Sequence, residues 1–239
     1  RIWEGFWQLA DPKIWIASTV PMLLAGVIAF AETGTFSLLW FLAALAGVYF
    51  IEIGKNAINE CIDYISGVDR FVEPDKRTPF SGGKKKIVDK KLTVKESAVI
   101  AVITMAAGAL VGLCIVLYRE FNVLWIGLAG FFFATFYSLP PLKFCYRGLG
   151  EFVVGFTFGP LILNGMYLVL THRISIASIL ASIPIGILIA NVLWINQFPD
   201  YEADAKGGKR NWVVRLGKKR SVKVYEVLFA LAYVSIIVL

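Results

Sequence analysis

Seven apolar stretches, each about one bilayer long, divide this 239-residue chain, and most of its charge lies between them. They run over residues 14–31, 36–53, 97–118, 123–139, 152–171, 174–195 and 222–239. A helix needs roughly 20 apolar residues to cross a hydrocarbon core of about 30 Å. In lipid, only a helix or a closed barrel satisfies every backbone N–H and C=O internally. Five of the stretches hold no charged residue; the second contains Glu52, and the seventh Lys223 and Glu226 near its start. A composition that is 58% hydrophobic, with a mean hydropathy of +0.70, exceeds what a soluble core of this length hides. The expected fold class is all-α, a polytopic transmembrane helical bundle. Residues 14–31 end in Phe30-Ala31-Glu32 and imitate a signal peptide, but they are long for that role and read as a first span.

The net charge of +7 is placed asymmetrically. Nine lysines and arginines from Arg70 to Lys95 lie between the second and third spans. Seven more from Lys206 to Arg220 separate the sixth from the seventh, and Lys143 and Arg147 join the fourth to the fifth. The opposite connections hold little beyond Arg119 and His172-Arg173. By the positive-inside rule, the basic connections and the amino terminus face the cytoplasm, as expected for an integral protein of the cell membrane. A pI near 9.3 on such a chain signals topology and contact with anionic membrane lipid, so no nucleic-acid partner is expected. Cys61, Cys114 and Cys145 show neither zinc nor disulfide spacing.

Two copies of one acidic pattern open the basic connections: Asn59-x-x-x-Asp63 with Asp69 beyond, and Asn196-x-x-x-Asp200-x-x-x-Asp204. On a helix continuing from the second span, Asn59 and Asp63 stack on one face. Gly67 is expected to end that helix and leave Asp69 on a turn. Asn196, Asp200 and Asp204 drift only about 40° per step, with Pro199 kinking or restarting the ladder. Carboxylates this close repel unless a cation neutralises them. With few carboxylates among many bases, the set suits Mg2+ bound together with a diphosphate.

These blocks resemble the UbiA-type intramembrane aromatic prenyltransferases. Asn59-Glu-Cys-Ile-Asp63-Tyr-Ile-Ser-Gly67-Val-Asp69 is similar to the first signature of that family, and Asp75 to Gly83 to the basic stretch after it. Tyr137-Ser-Leu-Pro-Pro-Leu-Lys143 and Tyr146 to Glu151 are similar to the central loop. Asn196-Gln-Phe-Pro-Asp200-Tyr-Glu-Ala-Asp204, Gly208-Lys-Arg210 and Val214-Arg-Leu-Gly217 are similar to the second signature. The Gly67-Val-Asp69 spacing and the Tyr146 to Gly150 run look most like the menaquinone branch, which acts on 1,4-dihydroxy-2-naphthoate. Asn211 stands where threonine is common, and Glu60 where aspartate often follows.

The resemblance implies transfer of a polyprenyl group from a polyprenyl diphosphate, geranylgeranyl diphosphate among the choices, to an aromatic acceptor. Asn59, Asp63, Asp69, Asn196, Asp200 and Asp204 would hold Mg2+, and Arg77, Lys143, Arg147, Lys209 and Arg210 would neutralise the diphosphate. Tyr137 would face the allylic cation, a role that π electrons suit. 4-Hydroxybenzoate and geranylgeranylglyceryl phosphate are the runner-up acceptors. Residues 1–239 are expected to form one transmembrane prenyltransferase domain, truncated at its carboxyl end because the family has nine helices. The competing class is a transporter of divalent cations or anions, which would favour charge at mid-membrane over charge on one rim. Glu52 and Lys55 either pair with each other or touch the site. Gly148-Leu-Gly150 is no dinucleotide fingerprint without a strand before it.

Overall fold

The computed structural model describes residues 1–72, 77 and 85–238, and its regular structure there is entirely helical. Helix α1 (Ile2–Ala10) and a 3-10 turn lead into α2 (Ile16–Thr33), followed by α3 (Leu38–Ser66), α4 (Val94–Tyr118) and α5 (Val123–Phe136). Helix α6 (Gly150–Phe156), a π-turn (Thr157–Leu161) and α7 (Ile162–Thr171) form one interrupted rod. Helix α8 (Ile176–Asn196), the short α9 (Tyr201–Lys206) and α10 (Trp212–Leu216), and α11 (Lys218–Ile237) complete the order.

Each expected span is helical, but the described residues contain five stretches long and apolar enough to cross a membrane unaided. These are Ile2–Thr33, Leu38–Ser66, Val94–Tyr118, Gly150–Thr171 and Ile176–Asn196. The fourth expected span shrinks to the 14 residues of α5, a rise of about 21 Å. The seventh is α11, whose first turn, Lys218-Lys219-Arg220, dilutes its hydropathy. The fifth is not a simple helix. Pro160 has no N–H to donate, and the ladder slips to π spacing around it.

Local chemistry sets the helix ends. Thr93 and Glu96 exchange capping-box bonds of 3.1 and 2.7 Å at the start of α4, and Ser175 with Ser178 does the same for α8. Gly67, at φ +85°, ends α3 as its spacing predicts. Gly159 and Gly186 bring α6–α7 against α8: a Cβ on Gly159 would lie 2.5 Å from the Ser182 carbonyl oxygen.

The core gathers on α7, where Leu163, Met166, Tyr167 and Leu170 pack with Met22, Ala25 and Ala29 of α2 and with Phe41 and Ala44 of α3. Residues 14–31 are thus part of the bundle interior. The outside is apolar as well: Val102, Leu110 and Leu117 of α4 and Ile176, Val192 and Ile195 of α8 are exposed, as on a surface solvated by lipid.

The bundle ends differ. At one, the Arg119 guanidinium donates to the Val169 and Leu170 carbonyls, and His172 Nδ1 lies 2.9 Å from Glu120. At the other, the three basic connections converge, with the Ser66 and Tyr146 hydroxyls 2.7 Å apart and the Arg210 N–H donating to the Tyr146 carbonyl at 3.0 Å. Helix α1 is tied to this second end by Arg1–Glu96 and by Lys91–Glu4 at 2.6 Å. Both acidic motifs share that end, an alternation that the charge asymmetry predicts.

Candidate active site

The first motif closes α3. Asn59 and Asp63 are one turn apart, and Asn59 Nδ2 donates to Asp63 Oδ2 at 2.9 Å. Ser138 from the α5–α6 connection donates to Asn59 Oδ1 at 2.6 Å and fixes the amide. Beyond Gly67, a 3-10 turn (Val68–Phe71) buries Asp69. The second motif is restarted rather than kinked: α8 stops at Asn196, Pro199 follows, and Asp200 immediately precedes α9. The Asp204 N–H donates to the Asp200 carbonyl at 2.8 Å, and Asp204 is buried on α9.

Two lysines bind these carboxylates together. Lys209 Nζ lies 3.2 Å from Asp63 Oδ2 and 3.9 Å from Asp204 Oδ1, which links the motifs across 146 residues of chain. Lys85 Nζ lies 2.5 Å from Asp69 Oδ1 and within electrostatic reach of Asp200 and Asp63. Tyr146 donates its hydroxyl to Asp63 Oδ1 at 2.7 Å, and Asn211 Nδ2 donates to Asp204 Oδ2 at 2.7 Å.

Burial governs the titration of these groups. It pushes Asp204 up to about 7 against the pull of Lys209, with Asp200 and Asp63 adding to the rise. Burial likewise lifts Asp69 to about 6, against Lys85. For Lys209, burial favours the neutral amine, but Asp63 and Asp204 outweigh it and hold the ammonium well above its ordinary range.

The expected diphosphate ligands divide. Lys209 is central, and Lys143 Nζ sits 4.9 Å from the centroid of the Tyr146 ring. Arg77 pairs with Asp89 at 2.9 Å, and Arg147 donates to the Pro141 carbonyl at 2.8 Å, so here each holds its own connection. Arg210 is exposed at the rim. The basic stretch Asp75 to Gly83 lies outside the described residues except for Arg77. Lys85, Tyr146, Asn211 and Ser138 carry contacts that the motif spacing did not single out. Lys85 stands in a run of three consecutive lysines, and nothing in that run marks it as the partner of Asp69.

Among the described residues, no three His, Cys, Asp or Glu side chains form a ready cage for a metal ion. The donor set is nevertheless all oxygen: four carboxylates and two carboxamides, which hard divalent cations prefer. Mg2+ usually keeps waters and takes one or two carboxylates alongside phosphate oxygens, so a closed protein cage is not required and the residues fit.

Next to this cluster, a cavity of about 460 Å3 opens between α3, α4, α5 and the α6–α7 rod. Its walls are almost entirely aliphatic and aromatic, among them Ile51, Val111, Phe133 and Met166. Tyr137, just past α5, lines the cavity and lies within electrostatic reach of Asp63 and Lys209. A charged rim thus adjoins an apolar chamber at Tyr137.

Fold and site define a membrane-embedded helical enzyme with paired acidic motifs at one end of its bundle. The UbiA prenyltransferase family matches residues 19–239. A 1,4-dihydroxy-2-naphthoate octaprenyltransferase of Bacillus subtilis (strain 168) is 31% identical over 231 residues, spanning 97% of this chain and 72% of that protein. The enzyme of that name from Escherichia coli (strain K12) is 28% identical, over 92% of this chain and 74% of its own. The structure of a UbiA homolog from Archaeoglobus fulgidus bound to DMAPP and Mg2+ shares the fold, with a TM-score of 0.76 at 18% identity over 97% of this chain and 76% of that one. The chain belongs to the UbiA prenyltransferase family and is a membrane prenyltransferase.

Proposed function

We propose that the protein transfers a polyprenyl group from a polyprenyl diphosphate to 1,4-dihydroxy-2-naphthoate, with Mg2+ as cofactor. One transmembrane domain carries the reaction, on the cytoplasmic side of the cell membrane. The observation that carries this reading is the junction of a buried carboxylate–lysine rim with an apolar chamber at Tyr137. The acceptor follows the names of the bacterial relatives, and the orientation follows the excess of basic residues at the motif end.

Asn59, Asp63 and Asp69 on one side, and Asn196, Asp200 and Asp204 on the other, would hold Mg2+, which when bound neutralises diphosphate oxygens as a Lewis acid. Lys209 and Lys85 add buried positive charge, worth more in this low-dielectric setting than in water. Lys143 and Arg210 ring the same end as further cations for the leaving group, which Arg77 and Arg147 would join only by leaving Asp89 and the Pro141 carbonyl. Tyr137 presents its π face to the developing allylic cation. The aliphatic walls take the prenyl tail and exclude water that would quench the cation.

Turnover by purified protein, with Mg2+ and each of three acceptors, tests the reading. Prenylated naphthoquinol that disappears with EDTA, and falls to background in Asp63→Ala and Asp200→Ala of unchanged elution profile, is the expected result. Product with 4-hydroxybenzoate or geranylgeranylglyceryl phosphate alone moves the acceptor and leaves the chemistry. Wild-type rates in either alanine variant refute the site.

A further inference from the structure

Helix α3 puts two ionisable side chains into the apolar chamber, and neither is used by the metal or the diphosphate. Glu52 and Lys55 are the only formally charged residues among those lining the cavity in the described structure. Glu52 is 5% exposed, and both of its carboxylate oxygens are buried without a hydrogen-bond partner among the described residues. Ser18 lies nearby, but its hydroxyl donates to the Trp15 carbonyl at 3.0 Å. Lys55, one turn further along α3, is in electrostatic reach of Glu52 and sits 5.8 Å from the centroid of the Tyr137 ring.

A buried carboxylate with no donor beyond a nearby serine hydroxyl is costly, and an ion pair in an apolar wall does not by itself repay the desolvation. Hydrophobic residues of similar volume would line a chamber meant only for a hydrocarbon tail. The arrangement is complementary to a ligand that gives a hydrogen to Glu52 and presents negative charge to Lys55. The prenyl chain has neither group, and the diphosphate has no proton to spare for a carboxylate. A hydroxylated aromatic acid has both.

Building on the prenyl-transfer reading above, we infer that Glu52 and Lys55 form the acceptor subsite, with Glu52 as proton acceptor for an aromatic hydroxyl and Lys55 as partner of the ring carboxylate. Glu52 takes the hydroxyl proton as the ring carbon bonds to the allylic carbon. The C–O bond to diphosphate breaks in the same stage, and its electron pair leaves with the diphosphate. The resulting ring ketone loses its carboxylate as CO2, the bonding pair returns to the ring, and Glu52 hands the proton back to the oxygen. The reacting groups therefore meet beside Tyr137, the diphosphate held at the rim and the acceptor held in the chamber alongside the prenyl tail.

The test compares the full-length enzyme in lipid nanodiscs with Glu52→Gln, Glu52→Asp and Lys55→Met. For Glu52→Gln, kcat with 1,4-dihydroxy-2-naphthoate is expected to fall by about 100- to 10,000-fold, the usual contribution of a general base. Binding of geranylgeranyl diphosphate in Mg2+, and its slow acceptor-free hydrolysis, should stay within about threefold of wild type. Glu52→Asp keeps the charge but retracts it by one methylene, and should recover part of the rate; it also stands in if the glutamine variant does not fold. Lys55→Met should raise the KM for the carboxylated acceptor by about tenfold, as loss of a charge-assisted hydrogen bond does, without changing that for the prenyl diphosphate. Transfer within threefold of wild type in both Glu52 variants, or equal loss of diphosphate binding and transfer, overturns the acceptor subsite alone. A wild-type enzyme that prenylates no aromatic acceptor overturns the prenyl-transfer reading and this inference with it.

Discussion

Replacing Lys209 with methionine removes the charge that joins the two motifs while keeping most of the side-chain volume. The Lys209 side chain is 17% exposed, whereas those of Asp63 and Asp204 are 6% and 5% exposed. Breaking a buried pair by deleting one partner costs about 3–5 kcal/mol, because the remaining charge is left uncompensated. The residual exposure of Lys209 places the expected loss towards the lower part of that range, about 3–4 kcal/mol. In a chain of this size each kcal/mol moves Tm by about 2–4 °C, so the variant should melt about 6–16 °C below wild type in EDTA. Mg2+ should restore at least half of that loss, since a cation between the same carboxylates replaces the missing ammonium. Tryptophan-fluorescence melts of detergent-solubilised protein, with EDTA and with saturating Mg2+, measure both numbers. A drop below 2 °C in EDTA, or a deficit that Mg2+ leaves untouched, would refute the reasoning that Lys209 and the metal share one charge-compensating position.

Three further expectations follow from the same geometry. Asn211 caps α10 through the Val214 N–H at 2.9 Å and also donates to Asp204, so Asn211→Ala should lose about 1 kcal/mol for the cap and about 1.5–3 for the bond to the carboxylate. Asn211→Thr should recover only the cap, and equal Tm values for the two variants would contradict this division. Because burial holds Asp69 near 6 and Asp204 near 7, both are largely protonated at pH 5.5, and Mg2+ must displace those protons. Affinity should therefore rise with pH through that interval and level off above it, with proton release visible by calorimetry in buffers of different ionisation enthalpy; a flat profile from pH 5.5 to 8 would count against it. Gly159→Ala drives a methyl to 2.5 Å from the Ser182 carbonyl and should cost about 1–3 kcal/mol in thermal melts, whereas Gly127→Ala, whose added carbon meets nothing within 4 Å, should melt no lower than wild type.

Much of the site can be read along the chain, because its first half is built from neighbours. Asn59 and Asp63 meet because residues four apart share a helix face, and Gly67 turns Asp69 inward because glycine takes a positive φ without strain. The second motif needed one tertiary decision: Pro199 allows a kink or a restart, and the packing of α9 on the turn after α3 selects the restart.

The sequence alone determined that this is a helical membrane protein with both acidic motifs and three basic connections at one end. Hydropathy and charge are local properties, and lipid leaves an apolar backbone few ways to satisfy its own hydrogen bonds. Only the tertiary structure decided that Lys85 faces Asp69, that Tyr146 and Asn211 hold the carboxylates, and that Glu52 and Lys55 open onto a chamber. Those outcomes depend on surfaces from helices far apart in the chain: Lys209 meets Asp63 across 146 residues, and the chamber exists only where α3, α4, α5 and the α6–α7 rod close around it. Spacing along one helix says which side chains share a face, but the packing of the other helices decides what that face meets.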